Sequence, residues 1–294
     1  MPRPIVPGAT VMVTRSCSQQ MFLLLPTRFA NRVFQYCLAY AAQRTNVLIH
    51  AICVMSNHYH LVLTDPEARL PEFERILNKL VASCLNVHYG RGENFFAGGV
   101  QPSYVTLETP ESMLDKVVYT TCNPVAAGLV NQTANWPGVM LWRPRTYKTR
   151  RPSVYFSETG DMPETIPLEV TPVPFAGVAG RREYEELVGL AIVKRETALR
   201  LERKLAGKGF LGKDRVRSQK HTDTPSSLRF GGELSPKVAA RNKWSRIEAL
   251  QRIKSFVDDY RKIFRRWQAG ERDVLFPYGV YKMRVVHSVA YAHP

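Results

Sequence analysis

A chain of 294 residues can form one large or two ordinary domains, and 45% hydrophobic with 10% aromatic residues is enough for a buried core, which excludes global disorder. The formal net charge of +16 is unevenly placed: through Met140 there are 10 Lys/Arg against 8 Asp/Glu, and the remainder holds 31 against 17. The second half is therefore where a polyanion would be gripped, with a solvated basic surface as the competing explanation for any single cation.

Five cysteines (Cys17, Cys37, Cys53, Cys84, Cys122) form no C-x-x-C pair and lie mostly in apolar runs, so they read as reduced, buried thiols. The apolar stretch Met21 to Pro26 is too short for a signal peptide or a membrane span. The expectation is a soluble, cytoplasmic protein with no membrane partner.

Val11 to Thr14 is a short β-like run, and Phe29 to Arg44 carries Val33, Phe34, Cys37, Leu38 and Ala41 at helical spacing. Two strands follow, Val47 to Met55 and His58 to Thr64, separated by the turn residues Ser56 and Asn57 and ended by Pro66. Glu72 to Tyr89 is an amphipathic helix with Ile76, Leu77, Leu80, Val81, Cys84 and Leu85 inward. The glycine-rich residues 90 to 99 break it, and Tyr104 to Leu107 reads as another strand. The order β-α-β-β-α-β predicts an α+β fold of the ferredoxin-like, split-βαβ kind, an antiparallel sheet with helices on one face.

A further helix starts with Thr109 as cap and Pro110 in the first turn, and the Asn123-Pro124 step interrupts it. Beyond Trp142 the composition changes. Residues 143 to 180, rich in Pro and Arg, read as a basic linker wrapped on the surface. Residues 181 to 294 read as a basic, mainly helical C-terminal extension. Within it fall a charged helix over Arg182 to Lys204, a mobile Gly/Ser/Lys-rich stretch over 206 to 235, and a helix from about Asn242 to Ala269. That last helix places Trp244, Ile247, Leu250, Ile253, Val257, Tyr260, Phe264 and Trp267 on one stripe, most simply core, and sets basic residues opposite. No internal repeat is visible.

The chemistry concentrates at two places. His58-Tyr59-His60 puts two imidazoles on one face of a stiff strand, where they suit a divalent metal; a satisfied structural pair is the plainer alternative. Further on, Asp115, Tyr119 and Asn123 are four apart and share one helical face. A phenol beside a carboxamide can supply a nucleophile and an oxygen ligand together. Tyr119 can equally be a core-edge tyrosine, and Asn123, before Pro124, can be a helix cap.

Together, the stretch Val54-Met-Ser-Asn-His-Tyr-His-Leu-Val-Leu63 and the stretch Tyr119-x-x-x-Asn123-Pro-Val-x-Ala-Gly-Leu-Val130 resemble the single-tyrosine HUH transposases of the insertion-sequence type. The similarity is closest to their REP-associated tyrosine transposase branch. The resemblance covers about the first half of the chain, and Phe276 to Tyr281 is similar to the tail of related chains. It implies a ferredoxin-like catalytic domain over residues 1 to 142, with His58 and His60 as metal ligands, Asn123 as the third protein ligand and Tyr119 as nucleophile. Tyr59 would point to the opposite face of the sheet, and Asp115 would be a helper or a surface partner on the helix. The implied cofactor is Mg²⁺ or Mn²⁺.

The implied reaction is cleavage and rejoining of hairpin-bearing single-stranded DNA through a 5′-phosphotyrosine, in the cytoplasm and on the nucleoid when bound to DNA, by a monomer or a homodimer. Two positions depart from the pattern: Ser56 stands where relatives often carry Pro or Gly, and Ala126 where they often carry a basic residue. Arg143, Arg145, Lys148, Arg150 and Arg151 are the candidate DNA-gripping segment, with a solvated linker as the alternative. Two other readings compete: a domesticated hairpin-binding protein without transposition activity, and a metal-dependent hydrolase that adds Asp65 to the histidine pair.

Overall fold

The computed structural model describes residues 2–99, 101–154, 162–174, 180–226, 237–240 and 242–293. The first half runs β1 (Ala9–Ser16), α1 (Arg28–Thr45), β2 (Leu48–Val54), β3 (His58–Asp65), α2 (Leu70–Tyr89), β4 (Ser103–Leu107) and α3 (Pro110–Ala126). The second half adds β5 (Met140–Leu141), β6 (Arg145–Arg150), β7 (Thr165–Val170), α4 (Arg181–Leu205), α5 (Lys213–Ser218), β8 (Val238–Ala239), α6 (Lys243–Gln268) and α7 (Lys282–His287).

Local signals set the helix ends. The Thr27 hydroxyl accepts from the Ala30 amide and caps α1, and Asn46 closes that helix in the left-handed region at φ 55°. The Asp65 carboxylate accepts from the Arg69 and Leu70 amides at 2.9 and 2.7 Å, capping α2 with the residue that ends β3. Thr109 and Ser112 form a reciprocal capping box at the start of α3, with Pro110 in its first turn.

Among the described residues the strands form one eight-stranded sheet in the order β6-β7-β2-β3-β1-β4-β8, with β5 pairing the end of β2. The central pairs β2–β3, β3–β1 and β1–β4 are antiparallel. β3 is central, and it is buried on both faces, which is why Leu61-Val62-Leu63 reads as a continuous apolar run. Tyr59, Leu61 and Leu63 face the core shared with α1 and α2; Val62 faces a second core containing Met12, Cys53, Val117 and Val125.

Three expectations change. The sheet is mixed, because β7 runs parallel to β2 and β8 parallel to β4. Helices cover both of its faces: α1 and α2 lie on one, while α3 and α4 cover the other through Val117, Cys122, Tyr184, Val188 and Ile192. The second face of the sheet carries Met12, Ala51, Cys53, Val62 and Val105, apolar side chains that a single helical layer would have left in water. Finally, the presumed linker contains β6 and β7. Ile166, Leu168 and Val170 alternate inward along β7, a period of two that Pro167 disguises in the sequence.

Residues 155–161 and 175–179 of that segment lie outside the described residues. The stretch read as mobile includes α5 with buried Val216, and Leu211 and Gly212 donate to the Gly128 and Leu129 carbonyls; residues 227–236 lie outside the described residues. α6 forms as the spacing predicts, with Asn242 as cap, but Trp244 is 74% and Leu250 40% exposed, so both lie outside the core. The Phe276–Tyr281 motif packs back on the start of the chain, where the Ile5 amide donates to the Gly279 carbonyl. All five cysteines are buried and unbridged. Among the described residues no helix is long and apolar enough to cross a membrane.

Candidate active site

His58 and His60 project from the same face of β3, opposite Tyr59, with ring centroids 4.8 Å apart and nearly perpendicular planes. Tyr59 is fully buried on the α1/α2 side, and its hydroxyl donates to Asn78 Oδ1 at 2.8 Å. The histidine-bearing strand is thus pinned from behind by the residue between the two imidazoles.

Each imidazole is oriented by a neighbour. His58 Nδ1 lies 2.7 Å from Asn57 Oδ1, an atom that only accepts, so Nδ1 carries the proton and Nε2 the lone pair. His60, only 4% exposed, has Nδ1 2.7 Å from Thr14 Oγ1, its register partner on β1. Its Nε2 lies 3.1 Å from the Asn123 carboxamide nitrogen, which only donates. That contact requires the lone pair on Nε2 and puts the proton on Nδ1, where Thr14 accepts it. Both rings therefore hold the tautomer in which Nε2 can bind a cation, each with its other nitrogen tied down.

α3 supplies the rest. Its inward residues Val117, Cys122 and Val125 seat it on the second face of the sheet, over the histidines. The Tyr119 ring lies 5.3 Å from the His60 ring, edge to face, and Tyr119 is 44% exposed, open to a large substrate. Lys116 Nζ stands 5.2 Å from the Tyr119 ring centroid.

The Asn123-Pro124 step does not interrupt this helix, and Asn123 caps no following one. α3 continues to Ala126 with Pro124 in its last turn. A proline there removes one helical hydrogen bond near the end. The helix then closes through Leu129 N to Pro124 O and Gly128 N to Val125 O, with Gly128 at φ 73°. Asn123 consequently keeps its helical position and faces His60.

The four residues singled out in the sequence, His58, His60, Tyr119 and Asn123, are thus brought together. A half-turn of the Asn123 amide exchanges its nitrogen for Oδ1 beside His60 Nε2, so an amide oxygen and that imidazole can meet a cation together, with the His58 ring 4.8 Å from the His60 ring. This neutral donor set fits a divalent ion that must also meet a phosphate. Among the described residues no group of three or more His, Cys, Asp or Glu is placed to hold a metal. Asp65, the extra ligand of the hydrolase reading, is spent on capping α2 and lies five residues beyond His60, about 17 Å along the strand.

The basic segment lies elsewhere. Arg145, Lys148 and Arg150 are on β6, the sheet edge, three strand spacings or about 15 Å from β3. Arg150 pairs with Glu164 at 2.7 Å, Arg151 donates to the Met162 carbonyl, and Arg143 and Arg145 lie over the rings of Trp142 and Tyr147. Thr14, Asn57 and Lys116 escaped the sequence reading. Asn57 adjoins the histidine pair and could have been flagged; Thr14 depends on strand register, which no local pattern reveals.

No protein-family model matches the chain, and no curated protein matches it. Among solved structures it is similar to a REP-associated tyrosine transposase bound to a REP hairpin, with 18% identity and a TM-score of 0.40 over 47% of this chain and 79% of that one. It is also similar to a Deinococcus radiodurans R1 protein carrying a transposase name, with 16% identity and a TM-score of 0.29 over 35% of this chain and 82% of that one.

Proposed function

We propose that the chain is a single-tyrosine DNA transposase and endonuclease built on a ferredoxin-like core, which cleaves and rejoins hairpin-bearing single-stranded DNA. One observation supports the reading: the His60 imidazole has the His58 ring, the Asn123 carboxamide and the partly exposed Tyr119 ring as direct neighbours, with both histidines in the tautomer that puts the lone pair on Nε2. A structural histidine pair would have no need of the carboxamide and the phenol.

Tyr119 Oη attacks the scissile phosphorus, forming a Tyr–O–P bond as the P–O3′ bond breaks. The phenol proton passes to solvent and the departing 3′ oxygen takes one up. The product is a 5′-phosphotyrosine and a free 3′-hydroxyl, and attack by another 3′-hydroxyl reverses the step without an external energy source. Mg²⁺ or Mn²⁺ bound to His58, His60 and Asn123 would supply charge neutralisation at the phosphate. Thr14 and Asn57 keep the two rings turned so that Nε2 faces inward. The reading places the protein with DNA in the cytoplasm or nucleoid, with the homodimer as one assembly.

The test is a denaturing gel of the protein incubated with Mn²⁺ and a hairpin oligonucleotide carrying a single-stranded flank. A covalent adduct retaining the 3′-end label is expected, and Tyr119→Phe abolishes it. Nicking that persists unchanged in Tyr119→Phe removes the nucleophile assignment. Hairpin binding with no adduct under any metal would leave the domesticated binding protein.

A further inference from the structure

α6 carries eight Lys/Arg against three Asp/Glu over 26 residues. Arg252 is paired with Glu108 and Glu248, and Arg266 with Glu271. Lys243, Arg246, Lys254, Arg261, Lys262 and Arg265 are all exposed, with no carboxylate within 4 Å among the described residues. Asp258 shares their flank and forms no ion pair with them among those residues, while Asp259 accepts from Ser255. At 100° per residue, Lys243, Lys254, Arg261 and Arg265 fall within an arc of about 40°. At 1.5 Å per residue the stripe is about 33 Å long.

The face of α6 that adjoins the stripe on one side is already used. Phe256 and Val257 are buried, and Tyr260, Phe264 and Trp267 pack on Val274, Phe276, Val280 and Met283. An interfacial membrane helix needs that apolar face for the bilayer, so a lipid surface does not suit this one. Single strands favour grooves lined with stacking aromatics. No aromatic lies on the stripe, and the exposed Trp244 sits off it, at the end nearest α3. A straight row of cations on a rigid rod, about as long as one turn of duplex, is complementary to a phosphate backbone.

The row also leads somewhere. Arg246 lines a small cleft of about 230 Å³ together with Ser112, Asp115 and Lys116 of α3. Lys116 is the cation beside the Tyr119 ring. We infer that the basic face of α6 is a backbone track for the double-stranded stem of the nucleic acid, delivering its single-stranded foot past Arg246 and Lys116 to Tyr119. The inference rests on the strand-transfer reading for the identity of its ligand, but its test does not require cleavage.

The experiment uses the full chain in a Tyr119→Phe background, so that binding is read without chemistry. Anisotropy of a labelled hairpin oligonucleotide with a single-stranded flank is titrated at several KCl concentrations. The parent is compared with Lys254→Gln/Arg261→Gln/Arg265→Gln and with Lys194→Gln/Lys204→Gln/Lys208→Gln, an equal charge loss at other exposed sites. Each lost phosphate contact lowers the log–log salt slope by about 0.9, so the α6 variant should lose roughly 2 to 3 in slope while the control changes little. The unpaired flank alone should bind both variants alike.

Equal losses in the two variants would reduce the effect to overall charge and overturn the track, as would an unchanged slope in the α6 variant. Binding to vesicles of anionic phospholipid that the α6 substitutions abolish would assign the face to a membrane and overturn it too. If the inference fails while wild type still forms the Tyr119 adduct, the strand-transfer reading stands without it.

Discussion

Thr14→Val tests the site through a residue that touches neither the proposed metal nor the substrate. Valine keeps the branched shape suited to β1, so the strand is preserved and only the hydroxyl that faces His60 Nδ1 at 2.7 Å is lost. That ring is 4% exposed, so water cannot readily replace the acceptor, and the deletion should destabilise the fold by about 1–3 kcal/mol. The larger consequence is at the other nitrogen. With Nδ1–H no longer held by Thr14, the tautomer with the proton on Nε2 gains population, and the ring loses its fixed orientation. Removing such an outer partner typically weakens metal binding about 10–100-fold, equivalent to about 1.4–2.7 kcal/mol. Isothermal titration with Mn²⁺ measures the affinity, and urea unfolding measures the stability separately. Thr14→Ser should restore most of both. If Thr14→Val loses stability but binds Mn²⁺ as the parent does, the hydroxyl does not orient a ligand; if His60→Ala also binds normally, His60 is no ligand.

Other expectations follow from the same geometry. Glu74 is buried beneath β3, its carboxylate accepting from the Tyr104 hydroxyl, and burial pushes it up to about 7 against the opposing pull of that bond, Arg15 and Arg3. The folded protein therefore holds a proton that the unfolded chain releases near 4.5, so this group's contribution falls as pH rises from about 4.5 to about 7. Glu74→Gln should gain stability relative to the parent across that window, on the order of 3 kcal/mol at pH 8, read from urea midpoints; a pH-independent difference would contradict it. Gly138→Ala would place a Cβ 2.8 Å from the Val54 carbonyl oxygen and in closer conflict with Trp136 Nε1, where Trp136 donates to that same carbonyl. It should lower stability by about 1–3 kcal/mol in thermal melts, and an unchanged melting temperature would mean that this loop shifts freely away from β2.

Much of the first half was legible locally. Parity along β3 placed His58 and His60 together and Tyr59 opposite, and spacing of four placed Tyr119 and Asn123 on one helical face. The left-handed close at Gly128 was also present in the sequence, and weighing it against Pro124 would have carried α3 through Asn123. The strand pair β6–β7 was harder, because Pro167 and the flanking arginines mimic loop composition while only Ile166, Leu168 and Val170 mark the buried side.

What the sequence by itself determined is what repeats over a few residues: helix and strand periods, caps, turns and the side each residue faces. The tertiary structure alone decided that α3 lies across the histidine face of the sheet, bringing His60 within 3.1 Å of Asn123, and that Thr14 of β1 meets His60 in register. Those meetings join residues 63 and 46 positions apart, and their partners are chosen by which apolar surfaces bury one another. No local period records that choice.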